Sequence, residues 1–121
     1  MVKRTVFLCV MSLALTSDAG ERLTMRVSPR MSLEPALVTV RALVEANAGN
    51  RLLEVVADSP SFYRSSSIQL DGANAPRLNV VEIKNLPTGT YDVTTVLVGA
   101  DGQRTAVSQV VTVAPSPGFS R

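Results

Sequence analysis

Past its first 19 residues, the chain offers few side chains able to move a proton, attack a carbonyl or hold a metal. It has no histidine, which removes Ser-His-Asp and Cys-His arrangements and any imidazole-ligated metal. Its single cysteine, Cys9, sits in a leader-like stretch, so thiol catalysis and structural zinc lose their ligands too. Lys84 is the one lysine beyond that stretch, and a solvated ammonium at a strand end is its ordinary reading. Carboxylates remain. Glycoside hydrolysis needs two of them held roughly 5–10 Å apart, whereas Glu45, Glu54, Asp58, Asp71, Glu82, Asp92 and Asp101 are scattered singly. Asp71 and Asn74 could share a calcium ion, but no run alternates ligands as a calcium loop does. They read as turn residues. The expectation is a chain that is not an enzyme and carries no cofactor.

Binding chemistry is also sparse. Without the first 19 residues, ten basic and nine acidic side chains remain, so nothing in the charge balance points to nucleic acid or another polyanion. The aromatics there are Phe62, Tyr63, Tyr91 and Phe119, too few for a base-stacking groove. Sugar recognition leans on aromatic faces as well, which leaves a carbohydrate or peptidoglycan ligand as the second choice. Phe62-Tyr63-Arg64 is the one local cluster of residue types enriched at interface hot spots. Neighbours on a strand face opposite ways, so one of Phe62 and Tyr63 should turn inward. Leu37 and Leu43 flank Arg41 on the nominally polar face of an alternating segment. They become informative if a neighbouring strand adds apolar residues beside them. The expected partner is therefore a protein, engaged through Leu37, Arg41, Leu43, Tyr63 and Arg64.

The elements that position these residues begin after a secretory-type leader. Lys3 and Arg4 precede an apolar run of 11 residues, Thr5 to Leu15, and Ser17-Asp18-Ala19 offers small residues for cleavage after Ala19. The run is shorter than the roughly 20 apolar residues a membrane-spanning helix needs. The layout predicts a signal peptide over 1–19, a secreted or periplasmic domain over 20–114, and a flexible tail over 115–121. With no cysteine beyond the leader, no disulfide would support this domain.

Apolar residues then recur with period two, the pattern of half-buried strands. In residues 37–46, Val38, Val40, Ala42, Val44 and Ala46 line one face. Six further strands are predicted over 23–27, 51–57, 62–70, 78–84, 91–98 and 105–113. All seven prolines fall at segment ends, where no ladder hydrogen bond is lost. Asp101-Gly102 is a strong hairpin signal for the last two strands. Seven short strands with no helical pattern predict an all-β, immunoglobulin-like sandwich.

The spacing Leu86-Pro87-x-Gly89-x-Tyr91 suggests a crossover between sheets. Leu86 would plug the core, Pro87 would fix the corner, Gly89 would supply a positive φ, and the Tyr91 hydroxyl would reach back to a backbone group. Val81, Ile83, Leu86, Pro87, Gly89, Tyr91 and Val93 resemble the E-to-F strand region of fibronectin type III and related bacterial immunoglobulin-like modules. The hairpin over 91–113 resembles their last two strands. The resemblance implies a seven-stranded sandwich acting as a binding or structural module. Those modules commonly carry a core tryptophan, which this chain lacks. Val38, Val40, Leu53 and Val55 are expected to fill the space.

Overall fold

The structure, a computed structural model, describes residues 22–117. The expected signal peptide over 1–19, Cys9 within it, and Phe119 lie outside the described residues. Eight strands form two sheets. β1 (Leu23–Ser28), β3 (Ala36–Val44) and β6 (Leu78–Leu86) make a three-stranded antiparallel sheet in the order β1-β3-β6. β2 (Met31–Leu33), β4 (Asn50–Ser59), β5 (Phe62–Gln69), β7 (Gly89–Gly99) and β8 (Arg104–Ala114) make the other sheet, in the order β2-β8-β7-β4-β5. The fold is the expected all-β sandwich, with one strand more than expected.

The additional strand is β2. It has only three residues, lies between Pro29 and Pro35, and pairs in parallel with β8. Three residues are too few to display an alternation, and proline is confined to strand ends, so this segment reads as loop in the sequence. Its pairing carries the start of the chain from the edge of one sheet to the edge of the other.

Alternation drives the burial. Val38, Val40, Ala42 and Val44 of β3 point inward against Leu53, Val55 and Ala57 of β4. Burying each valine or leucine contributes roughly 1.5–3 kcal/mol. Val38, Val40, Leu53 and Val55 are all buried, and Tyr91 is the largest fully buried side chain. Aliphatic residues and one tyrosine thus fill the space a tryptophan would take. Ala46 is exposed, because β3 ends at Val44 rather than continuing to residue 46.

Polar side chains close both flanks of the sandwich. On one flank, Gln109 Nε2 of β8 donates to the Met25 carbonyl of β1 at 3.2 Å. On the other, Arg64 Nη1 of β5 donates to the Lys84 carbonyl of β6 at 2.7 Å. Each bond satisfies a strand carbonyl with a long side chain from the opposite sheet.

The expected crossover is present. Pro87 and Thr88 alone separate β6 from β7, Leu86 is fully buried, and Tyr91 Oη donates to the Pro87 carbonyl at 2.7 Å. The source of the positive φ differs from expectation. It is Asn85, at φ 60°, while Gly89 is not in the left-handed region. Asn85 lies in a bulge where Lys84 and Asn85 together oppose Leu37. Asparagine tolerates that conformation better than most residues.

Candidate functional site

The register lays out the outer face of the three-stranded sheet in rows. Thr24, Leu43 and Leu78 face one another across β1, β3 and β6, and the next row holds Arg26, Arg41 and Val80. Ser28, Thr39 and Glu82 follow. Leu43, Leu78 and Val80 are exposed at 44%, 52% and 49%. Directly opposed residues bring their Cβ atoms within about 4.5–5.5 Å, and diagonal neighbours lie within reach of long side chains. The three therefore form one apolar patch. Leu43 meets the condition set by the sequence, because a neighbouring strand places apolar residues beside it.

The patch is bordered by positive charge. Arg26 and Arg41 stand directly opposite each other, an arrangement of like charges that costs stability in a sheet. Among the described residues, the salt bridge present is Arg104 to Glu54, at 3.2 Å on the far sheet. Neither Arg26 nor Arg41 forms a salt bridge with a carboxylate of the described residues.

The five residues expected to bind a partner are not brought together. Arg41 and Leu43 share the patch. Leu37 lies on the same face, three rows away beside the Asn85 bulge. Tyr63 and Arg64 belong to β5, at the edge of the other sheet. Tyr63 is 63% exposed, while Phe62 turns inward and meets the Tyr91 ring edge-on at 6.1 Å. Arg64 stacks over Phe62, its guanidinium carbon 5.2 Å from the ring centroid, and bonds the Lys84 carbonyl. This ties Arg64 to the scaffold. The sequence reading missed Arg26, Leu78 and Val80. Leu78 and Val80 alternate with Val81 and Ile83, a visible signal, but their proximity to Leu43 depends on strand pairing.

Two concavities lie at opposite ends of the sandwich. One, of about 350 Å³, is lined by Arg22, Asn47, Gly49, Asp101 and Gln103 among others. Asn47 Oδ1 accepts the Gly49 amide at 2.7 Å and Asp101 Oδ1 accepts the Gln103 amide at 3.0 Å. Both side chains are thus used by their own turns. The other, of about 330 Å³, is lined by Glu34, Pro35, Asn85, Pro87 and Ser116. There Glu34 Oε1 accepts the Thr88 hydroxyl at 2.7 Å and the Thr88 amide at 3.1 Å. The hydroxyl bond leads the effects that hold this carboxyl below its ordinary value. Ser116 Oγ donates to the Glu34 carbonyl, which ties part of the expected flexible tail to β2's end. Among the described residues there is no group of three or more acidic, cysteine or histidine side chains suited to a metal. No helix among them is long and apolar enough to cross a membrane.

No protein-family model matches the chain, and no curated protein does. Solved structures resemble it in fold. The superoxide reductase (neelaredoxin) from Ignicoccus hospitalis superposes with a TM-score of 0.61 at 11% identity, covering 77% of this chain and 80% of that one. CopC from Methylosinus trichosporium OB3b gives a TM-score of 0.51 at 19% identity, covering 82% and 98%. A family 76 glycoside hydrolase from a bovine Bacteroides thetaiotaomicron strain gives 0.53 at 18%, covering 75% of this chain and 20% of that chain. These likenesses establish a shared β-rich fold. They also overturn the expectation that the chain is not an enzyme, because superoxide reductases stand among its structural neighbours. The sequence argument tested only familiar catalytic arrangements, and a scaffold's range of chemistry is wider than those.

Proposed function

We propose that the chain is a secreted or envelope-associated module that docks a protein partner through the outer face of its three-stranded sheet. The observation that carries the proposal is the continuous patch of Leu43, Leu78 and Val80 beside the opposed Arg26 and Arg41. A partner surface with an apolar anchor flanked by carboxylates fits it. The anchor would cover the aliphatic side chains, and the carboxylates would relieve the repulsion between the arginines. The leader-like residues 1–19 support secretion. A finer kinship with fibronectin type III and related bacterial immunoglobulin-like modules draws support from the Leu-Pro-x-Gly-x-Tyr corner.

The test is affinity capture from envelope extract with wild-type protein and variants of the face. Leu43→Ser with Leu78→Ser, and separately Arg26→Gln with Arg41→Gln, are each expected to lower retention of the same partner roughly tenfold or more, a loss of about 1.4 kcal/mol. Leu37→Ser, off the patch, is expected to leave it unchanged. Equal retention by all variants would remove this face as the docking surface. Selective retention of glycan in place of protein would favour a carbohydrate ligand. An N-terminus at Gly20 in the exported protein would support the leader.

A further inference from the structure

Three of the four sheet edges carry devices that discourage pairing with another chain. β2 has three residues and is flanked by prolines. β1 runs only six residues into Pro29, with the Gln109 side chain on its Met25 carbonyl. β6 carries the Asn85 bulge and the charges of Glu82 and Lys84, with Arg64 on its Lys84 carbonyl. Among the described residues β5 is the least protected edge, its one such device being the inward-facing charge of Arg64. It keeps an unbroken register with β4 over eight residues, Phe62 to Gln69, without proline, glycine or bulge. Residues 63–67 are all exposed, including the inward-facing Arg64 and Ser66, so β5 overhangs the three-stranded sheet and its outer edge is accessible.

The sequence of this edge is complementary to itself. When two β5 strands are set antiparallel about a two-fold axis at Ser65, each row holds residues of the same face. Ser65 meets Ser65 of the second copy, Arg64 meets Ser66, Tyr63 meets Ser67, and Phe62 meets Ile68. The strand's only charge thus faces a serine and never its own copy. The half-buried Phe62 and Ile68 form an apolar pair twice. Of the adjacent registers that preserve the faces, the one centred on Ser66 sets Arg64 against Ile68, and the one centred on Arg64 sets that charge against its own copy.

We infer that β5 is the seam of a two-fold dimer in which two copies pair antiparallel about Ser65 and merge their five-stranded sheets into one of ten. The axis is perpendicular to the merged sheet, so both three-stranded sheets lie on the same side. Assembly stops at two copies, because pairing consumes the least protected edge and the remaining edges are better protected.

The test uses the purified protein in light scattering and chemical cross-linking. The wild type is expected to have the mass of two chains. Ser65→Lys places like charges opposite each other on the axis and is expected to have the mass of one chain with an unchanged circular dichroism spectrum. In a Cys9→Ser background, Ser65→Cys is expected to oxidise to a covalent dimer, since opposed Cα atoms about 4.5–5.5 Å apart suit a disulfide. Ser67→Cys is expected to remain uncross-linked, because the two copies of residue 67 are offset by four residues, about 14 Å at 3.4 Å per residue. A wild type that remains monomeric, a dimer that survives Ser65→Lys, or cross-linking through residue 67 and not residue 65 would each overturn the inference.

Discussion

The hydroxyl of Tyr91 donates to the Pro87 carbonyl at 2.7 Å, across the crossover that joins the two sheets. The ring below it is fully buried and packs edge-on against Phe62. Tyr91→Phe keeps the ring and removes the bond. The variant is expected to fold and to lose on the order of 1 kcal/mol, the net worth of one hydrogen bond, as measured by denaturant melts. An unchanged stability would show that the bond contributes nothing.

Burial raises the Tyr91 phenol above its ordinary value of 10.0. The folded state therefore holds this proton more tightly than the unfolded chain does. The contribution to stability is complete below the ordinary value and is lost as pH rises through it towards the folded value. The wild type is expected to lose stability across that alkaline window more steeply than Tyr91→Phe. Parallel pH profiles for the two proteins would refute this.

Glu34 shows the opposite sign. Its carboxyl, bonded by the Thr88 hydroxyl and amide, is held below its ordinary value of 4.5. Its contribution is complete above that value and is lost as pH falls through the folded one. Glu34→Gln is expected to lower the melting temperature slightly at neutral pH and to converge with the wild type at low pH. A gap that persists in acid would assign the effect to packing instead.

Thr95 lies fully buried between the two halves of the core, its hydroxyl donating to Met25 Sδ at 2.9 Å. Thioether sulfur is a weak acceptor, so the bond compensates only partly for the hydroxyl's lost hydration. Thr95→Val, of nearly the same shape, is expected to stabilise the fold by about 1 kcal/mol. A lower melting temperature would show that the bond to sulfur outweighs the desolvation.

At the crossover, the positive φ expected of Gly89 belongs to Asn85 instead. A Cβ at Gly89 would sit 3.5 Å from Tyr91 Cε1 and 3.6 Å from Ser59 Oγ, both ordinary contacts. Gly89→Ala is therefore expected to change stability by less than about 0.5 kcal/mol. Asn85, at φ 60°, is the demanding position. Asn85→Ala is expected to cost about 1 kcal/mol, because a Cβ without a compensating local polar group disfavours the left-handed region. Chemical denaturation of both variants decides between them.

The alternation of valine and leucine with polar residues was enough to place β3, β4, β6, β7 and β8, and the Asp101-Gly102 turn identified the last hairpin. Gly102, at φ 83°, supplies the conformation that turn needs. The Tyr91 corner was legible as well, because the spacing from Leu86 to Tyr91 is short and each residue's role is local. β2 was not legible. Its three residues are held by pairing with β8, about 80 positions later in the chain, and no local pattern records such a contact.

The candidate surface divides in the same way. Leu43 and Arg41 could be assigned to an outward face from β3 alone, since successive side chains on a strand point to opposite sides. Whether that face was apolar or charged depended on which strands flank β3 and in what register. A shift of one residue in β6 would have set Leu78 and Val80 into the core and turned Asn79 and Val81 outward. The sequence by itself determined the seven longer strands, their inward faces and the Tyr91 corner, because those follow from period-two burial and turn stereochemistry. Only the tertiary structure brought Leu43 to Leu78, opposed Arg26 to Arg41 and placed β5 at an edge, because neighbours across a sheet are set by long-range pairing.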